Sequence, residues 1–225
     1  MRVINASENS LIVYLGEEAT PDVSDKIYYL ADELEKTLTT DLIDLIPSYT
    51  SLLVIFNALT TDHFSVRNTV FSINCEVQSD TKKRRETIIL PVYYNEEVGE
   101  DLNDLAEKKR LAVDEVIELH TGISYLVYAI GFAPGFAYLG EVDEKLAAQR
   151  LSTPRMNVPR GSVAIADRQT AVYPASSPGG WNLIGRCPVK MYNPSTPPYM
   201  PVEIGDTVRF EAVDRKKFLS LGGEI

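Results

Sequence analysis

Apolar positions in the first part of the chain recur at spacings that separate helices from strands. One set recurs at steps of three or four residues, which places its members on one face of a helix. Thr20-Pro21-Asp22 before this set is typical of a helix start. A second set with similar steps predicts a second helix. The first set is Val23, Ile27, Leu30, Leu34 and Leu38, and the second is Val66, Val70, Ile73 and Val77.

Four short apolar runs predict strands around these two helices. They are Leu11–Leu15, Leu42–Ile46 (closed by Pro47), Leu52–Phe56 and Thr87–Tyr94. The predicted order is therefore βαββαβ, a split βαβ or ferredoxin-like unit over residues 1–95. This arrangement occurs with many unrelated functions, so it does not predict an activity.

The second part of the chain has a different composition. Ten of the 13 prolines follow Gly131, and eleven of the 13 glycines lie from Gly122 onward. Two short helices, Leu102–Arg110 and Val113–His120, are predicted to precede a series of short strands between Gly/Pro turns. These strands are Ser124–Ile130, Ser162–Ala166, Gln169–Tyr173, Val189–Tyr192 and Thr207–Ala212. The fold class is thus α+β, with a barrel or sandwich over residues 96–225.

Composition and charge exclude several classes of protein. Apolar residues are 44% and charged residues 24% of the 225, which is typical of a globular protein. No apolar run approaches the roughly 18 residues of a membrane helix, and Met1–Ser10 lacks the apolar core of a signal peptide. The net charge of −10 disfavours nucleic acid. We expect a cytoplasmic protein without membrane or nucleic-acid partners, and a solvated turn at the basic run 82–85.

Cysteine and histidine are too few and too dispersed to predict a metal site. The two cysteines and two histidines show no metal-ligand spacing. The chain also lacks the phosphate-binding loop, the nucleophile elbow and the His-Glu-x-x-His pattern. His120 remains a candidate acid or base, because the end of a helix favours a protonated imidazole. The alternative is a capping histidine on a surface helix.

The stretch Gly131–Gly140 is the first of three that carry candidate chemistry. It combines three glycines, a proline and three aromatic residues directly after a predicted strand. Glycine allows backbone to approach a ligand closely, and aromatic rings provide flat contact surfaces. Phe132, Pro134 and Gly135 are therefore candidate binding residues. A tight loop with its own small aromatic core explains the same pattern.

The second stretch runs from Thr153 to Ala166 and offers Arg155 and Ser162. A guanidinium can bind a carboxylate or phosphate through two parallel hydrogen bonds, and Pro154 stiffens the chain before it. The alternatives are a surface arginine, and a serine that bonds only to the backbone of its turn.

The third stretch, Tyr173–Arg186, contains the only tryptophan, Trp181, after Gly179 and Gly180. Backbone amides of such a loop can point at an anion. A hairpin turn that buries Trp181 is the alternative. Gln169, on the predicted strand before this stretch, is a further polar candidate.

These stretches together resemble a known family. The strings Ile130–Gly140, Pro154–Ala166 and Ser177–Arg186 are similar, in order and spacing, to the B subunit of bacterial 5-oxoprolinase. This family is also called allophanate hydrolase subunit 1 or the sporulation kinase A inhibitor family. The resemblance covers nearly the whole chain, including Glu115–His120 and Glu203–Asp206.

The resemblance implies a small α/β domain followed by a cyclophilin-like β-barrel. It also implies two partners, the A and C subunits, the latter cyclophilin-like, with which the chain would form an ATP-dependent 5-oxoprolinase. ATP would be used by the complex, and the chain alone would be inactive. In that complex Arg155 would hold a carboxylate or phosphate, and Gly135, Gly179 and Gly180 would give backbone contacts. Phe132 and Trp181 would line the pocket, with His120 as acid or base.

Two other functions stay open at this point. Some family members bind a sensor histidine kinase and block its autophosphorylation, so the chain could instead inhibit such a kinase through its dimerisation domain. The cyclophilin-like barrel alone would suggest a stand-alone isomerase, which rests on fold analogy.

Overall fold

The computed structural model of the chain describes residues 1–75 and 87–225. These residues group into two units, Met1–Arg84 and Arg85–Ile225. The predicted helix position Val77 and the basic run at 82–85 lie outside the described residues. No helix in the described part of the chain is long and apolar enough to cross a membrane.

The described residues of the first unit form a four-stranded antiparallel sheet with two helices. The strands lie in the order β1-β2-β4-β3. The elements are β1 (Arg2–Ser7), β2 (Ser10–Tyr14), α1 (Pro21–Leu38), β3 (Leu42–Ser48), β4 (Ser51–Phe56) and α2 (His63–Ser72).

Helix α1 forms where the apolar period predicts it. Thr20 caps it, because its hydroxyl accepts a hydrogen bond of 3.3 Å from the Val23 amide, and Pro21 occupies the first turn. Its apolar stripe includes Ile27, Leu30 and Leu34, which are fully buried in the core of the unit. The predicted first helix is therefore confirmed.

The predicted strand order of the first unit is wrong at both ends. Among residues 1–75 the order is ββαββα, because an N-terminal strand, β1, fills the sheet edge next to β2. The pattern missed β1 because only Val3 among its side chains is buried. Pro47 lies inside β3 rather than ending it, and β3 tolerates this because it pairs only with β4.

The second unit is built on a seven-stranded sheet that curls into a nearly closed barrel. The strand order is β12-β9-β10-β7-β6-β13-β5, and backbone hydrogen bonds of 2.9 Å between Tyr93 and Arg186 connect its two edges. Strands β8 and β11 form a separate two-stranded ribbon. The strands are β5 (Thr87–Val92), β6 (Ser124–Ile130), β7 (Ala137–Gly140), β8 (Arg155–Val158), β9 (Ser162–Ala166), β10 (Gln169–Val172), β11 (Ser177–Gly179), β12 (Asn182–Arg186) and β13 (Thr207–Ala212). The helices are α3 (Leu102–Lys109), α4 (Val113–Thr121) and α5 (Arg215–Ser220).

Strand β5 belongs to this barrel, which corrects the predicted boundary between residues 95 and 96. It pairs in parallel with β13, from Thr87 opposite Thr207 to Val92 opposite Ala212. Leu90 and Val92 are buried in the barrel core, so the apolar alternation is satisfied there. The strand that the βαββαβ order assigned to the first unit therefore belongs to the second.

The predicted strand Val189–Tyr192 is also wrong. These residues form a loop after β12, and its one fully buried side chain, Met191, packs into the barrel core. A single buried residue gives an apolar signal without a pairing partner. Conversely, the short strands β7, β8, β11 and β12 and helix α5 were not predicted, because Gly, Pro and polar residues interrupt their apolar patterns.

Candidate functional site

An aromatic cluster on the outer face of the barrel forms the centre of the candidate site. Along β9, Val163 and Ile165 point into the barrel core, while Ala164 and Ala166 point to the opposite face. The alanines leave room there for large rings. The cluster comprises Phe136, Val158, Ala164, Ala166, Ala171, Tyr173, Trp181 and Leu183.

Phe136 contacts more rings than any other residue named in this cluster. Its ring is almost completely buried and lies edge-on to four other rings. The centroid distances are 4.9 Å to Tyr138, 5.3 Å to Phe132, 5.3 Å to Tyr173 and 5.7 Å to Trp181. Edge-on pairs of this kind stabilise a fixed arrangement of rings. The candidates Phe132 and Trp181 are thus brought together through a residue that was not predicted.

Phe132 is exposed and held in an unusual backbone conformation. It is 65% exposed, with φ of +70°, which non-glycine residues rarely adopt. The same loop contains the exposed Pro134 and the buried Gly135, whose φ is +85°. A side chain at Gly135 would overlap the carbonyl of Met191. Backbone strain beside an exposed aromatic ring is typical of a binding site.

Arg155, at the start of β8, is occupied by carboxylates of its own chain. Its Nη2 lies 2.6 Å from Oδ1 of Asp101, and its Nε lies 3.3 Å from Oε2 of Glu100. Nη1 donates to the carbonyl of Trp181 at 3.4 Å. Burial lowers the pKa of Arg155, but hydrogen bonding and charge from Asp101 outweigh it, and the pKa is raised. The guanidinium therefore connects the ribbon to the segment before α3.

Asp101 was missed by sequence reasoning, although it organises this side of the site. Its side chain is buried, with one oxygen on Arg155 and the other accepting from the Leu183 amide at 2.7 Å. The Asp101 amide in turn donates to the Leu183 carbonyl at 2.9 Å. An acidic residue in a polar segment gives no local signal of such a contact 82 residues away.

Gly179 ends strand β11 of the ribbon, Gly180 follows it, and both contact their own chain. A side chain at Gly179 would overlap the Tyr173 hydroxyl, and the Gly180 carbonyl accepts from the Leu151 amide at 2.7 Å. Trp181 is 5% exposed, and the Arg150 guanidinium lies 5.8 Å from its ring centroid. These contacts agree with the alternative of a turn that buries Trp181.

Ser162 and Gln169 occupy neighbouring barrel strands. Ser162 begins β9 and is fully buried, and its hydroxyl has no hydrogen-bond partner among the described residues. Gln169 begins β10, where it is half-buried opposite Gly140 of β7 and Ala166 of β9.

His120 lies in the barrel interior, away from the aromatic cluster. Its ring is fully buried, with Nδ1 2.7 Å from the Tyr94 hydroxyl and Nε2 2.9 Å from the Thr170 hydroxyl. It stacks on Phe210 at a centroid distance of 4.6 Å. Burial lowers its pKa to about 3. A neutral, doubly hydrogen-bonded imidazole connects α4 to the barrel, and this position gives no support to a role as acid or base.

This burial makes stability depend on pH. As the pH is lowered from 7.5 to 5.5, His120 takes up a proton in the unfolded chain but not in the folded chain. The free energy of unfolding therefore decreases as the pH decreases. The shift corresponds to a loss of about 1.4 kcal/mol over this interval. The His120→Gln variant should lose that much less when urea unfolding is followed by the fluorescence of Trp181. Equal losses of stability in the wild type and in His120→Gln would contradict a neutral, buried His120 as the cause of the pH dependence.

The structure thus brings most of the predicted residues to one face of the second unit. Phe132, Pro134 and Gly135 form the loop beside the cluster, while Arg155, Gly179, Gly180 and Trp181 lie on or next to the ribbon. No three His, Cys, Asp or Glu side chains in residues 1–75 and 87–225 are placed to hold a metal ion.

The chain matches one protein-family model and is similar to curated proteins. Residues 1–202 match the model of the carboxyltransferase domain, subdomain C and D. The chain is 35% identical over 221 residues to the 5-oxoprolinase B subunit of Bacillus subtilis (strain 168), covering 94% of this chain and 92% of that protein.

Solved structures share the fold. A crystal structure of TTHA0988 is 31% identical, with a TM-score of 0.82 over 92% of this chain. This chain spans only 40% of the length of TTHA0988. The urea carboxylase of Kluyveromyces lactis is 16% identical, with a TM-score of 0.75 over 97% of this chain and 22% of that one. At that identity the match shows the fold alone.

Proposed function

Because the chain belongs to the family of 5-oxoprolinase B subunits, within the carboxyltransferase subdomain C and D proteins, we propose that it is a subunit of a 5-oxoprolinase. The complex would hydrolyse 5-oxo-L-proline to L-glutamate with ATP. The observation that carries this proposal is the similarity to a B subunit over almost the full length of both chains. We also propose that the second unit is a cyclophilin-like β-barrel.

The aromatic cluster is suited to a small flat amide. The five-membered ring of 5-oxoproline has apolar faces and a planar lactam, which aromatic walls can cover on one side. Phe132 is exposed at the edge of the cluster, next to the buried Phe136, so its ring is available to a ligand. Its backbone conformation, with φ of +70°, sets the direction in which the side chain leaves the loop before the substrate arrives.

Arg155 has a positioning role in this proposal. Because Asp101 and Glu100 already neutralise its charge, it fixes the ribbon against Trp181 rather than binding substrate directly. The chain lacks the phosphate-binding loop pattern, and no step assigned to its residues uses ATP. ATP would supply the phosphoryl group that activates the ring amide within the complex.

We further propose that the chain functions only with homologues of the A and C subunits. The name of the Bacillus subtilis relative, a B subunit, supports the presence of other subunits. The alternative of kinase inhibition stays a prediction that the comparisons do not test.

The role of the aromatic edge can be tested with two exposed phenylalanines. We expect Phe132→Ala to lower 5-oxoproline turnover by the assembled complex roughly tenfold or more, because one wall of the site is lost. Phe64→Ala removes a similarly exposed ring (74%) from the first unit and should leave turnover unchanged. Equal turnover by both variants, with assembly intact, would contradict the placement of the site.

A further inference from the structure

Two buried polar atoms in the described part of the chain have no hydrogen-bond partner, and they belong to neighbouring residues. They are Oγ of Ser162 and Nε of Arg186. Ser162 on β9 and Arg186 on β12 lie directly opposite each other in the sheet. Directly opposed residues project their side chains from the same face. Buried polar groups are nearly always hydrogen-bonded, so two adjacent exceptions indicate that a partner is missing.

Arg186 differs from Arg155 in its charge balance. No described carboxylate forms an ion pair with the Arg186 guanidinium, although Nε is buried. Burial lowers the pKa of Arg186, and the charges of Glu100 and Glu224 offset this only in part. Arg186 as a whole is half-buried, and a cation in such a position is more stable with a paired anion than without one. Arg186 therefore favours an anionic partner, whereas Arg155 already has two.

One exposed residue, Glu224, contacts the guanidinium of Arg186. Nη1 of Arg186 donates to the backbone carbonyl of Glu224 at 2.9 Å, and Nη2 of the neighbouring Arg160 lies 3.5 Å from the Glu224 carboxylate. The Glu224 side chain is 80% exposed. An ion pair this exposed contributes little to stability, so a ligand can displace it at low cost.

We propose that Ser162 and Arg186 form a binding site for a carboxylate, which the segment around Glu224 closes in this structure. One hydroxyl and one guanidinium N–H match the two oxygens of a carboxylate, and its single charge balances Arg186. The identity of the ligand as 5-oxo-L-proline rests on the proposed function, but the site itself does not.

The position of this site fits a ligand that also contacts the aromatic cluster. Ser162 and Ala164 point to the same face of β9, and they lie about 7 Å apart along the strand. Ala164 packs in the cluster with Trp181. A bound carboxylate would therefore lie beside the cluster, with the rest of the molecule free to reach it.

The test is calorimetric titration of the full chain with 5-oxo-L-proline, L-glutamate and the uncharged 5-oxo-L-prolinamide. We expect the carboxylate of 5-oxo-L-proline to bind roughly tenfold tighter than the amide, because charge-assisted hydrogen bonds are lost in the amide. Ser162→Ala should weaken carboxylate binding several-fold without lowering the melting temperature, since its hydroxyl has no partner in the described part of the free protein. Arg186→Gln should weaken it at least roughly tenfold.

Two further variants complete the experiment. Glu224→Ala should tighten carboxylate binding, because it removes the ion pair with Arg160 that holds the segment around residue 224 against Arg186. Arg168→Gln, which removes an exposed arginine paired with Glu141, is the control and should bind as the wild type does. Unchanged binding in Ser162→Ala, or no binding by either wild type or Glu224→Ala, would overturn the site. Carboxylate binding with this mutant pattern in a complex that does not hydrolyse 5-oxoproline would instead overturn the proposed function alone.

Discussion

The Asp101→Ala variant should lose about 3 kcal/mol of folding free energy, because it leaves the Arg155 guanidinium and the Leu183 amide without their shared partner. Removing Asp101 leaves the mostly buried charge of Arg155 with only the exposed Glu100 as a partner. The measurement is urea unfolding followed by the fluorescence of Trp181. Since Trp181 is the only tryptophan in the chain, the signal reports the second unit directly.

Glu100→Ala provides the matched control for this prediction. Glu100 also contacts Arg155, at 3.3 Å, but its side chain is 65% exposed. Exposed ion pairs contribute about 0–1 kcal/mol, so this variant should unfold at nearly the wild-type urea concentration. Similar losses in both variants would mean that burial of the Asp101 contact is not what stabilises this side of the site.

Phe136→Ala should be at least as destabilising, by about 3–5 kcal/mol, because it removes a buried ring and leaves a cavity. Phe136 is 2% exposed and contacts four other rings, so the surrounding cluster cannot collapse to fill the space without moving several side chains. The same urea experiment measures the loss, and the environment of Trp181 should change in the folded state as well.

Phe132→Ala separates packing from function in this cluster. Because Phe132 is mostly exposed, its removal should change the free energy of unfolding by no more than about 0.5 kcal/mol. Its expected effect is on turnover, as described above. A stability loss comparable to that of Phe136→Ala would show that Phe132 acts mainly as a packing residue.

The fold could be predicted from the sequence where one face of an element is apolar. Helix α1 was found because its stripe is buried and Thr20 caps it. Strand β1 was missed because an edge strand with one buried side chain shows no alternation. The strand at Thr87 was found, but its partner was not, because apolar alternation does not specify which of two sheets a strand joins.

The candidate site was predictable where unusual composition concentrates in a short segment. The glycine- and aromatic-rich stretches led to Phe132 and Trp181, and the structure places both at one cluster through Phe136. Asp101 gave no such signal, and Arg186 lies at the end of a selected stretch without being singled out, because their contacts join distant segments. His120 was selected by its place at a helix end, whereas its burial depends on packing that the sequence pattern does not contain.

The rate of glutamate formation from 5-oxo-L-proline tests the central claim most directly. The assay combines the chain with homologues of the A and C subunits and with ATP, and repeats the reaction with each component omitted. We expect ATP-dependent glutamate formation only when all three proteins are present. Glutamate formation at the same rate without this chain, or none from the fully assembled complex, would contradict its assignment to a 5-oxoprolinase.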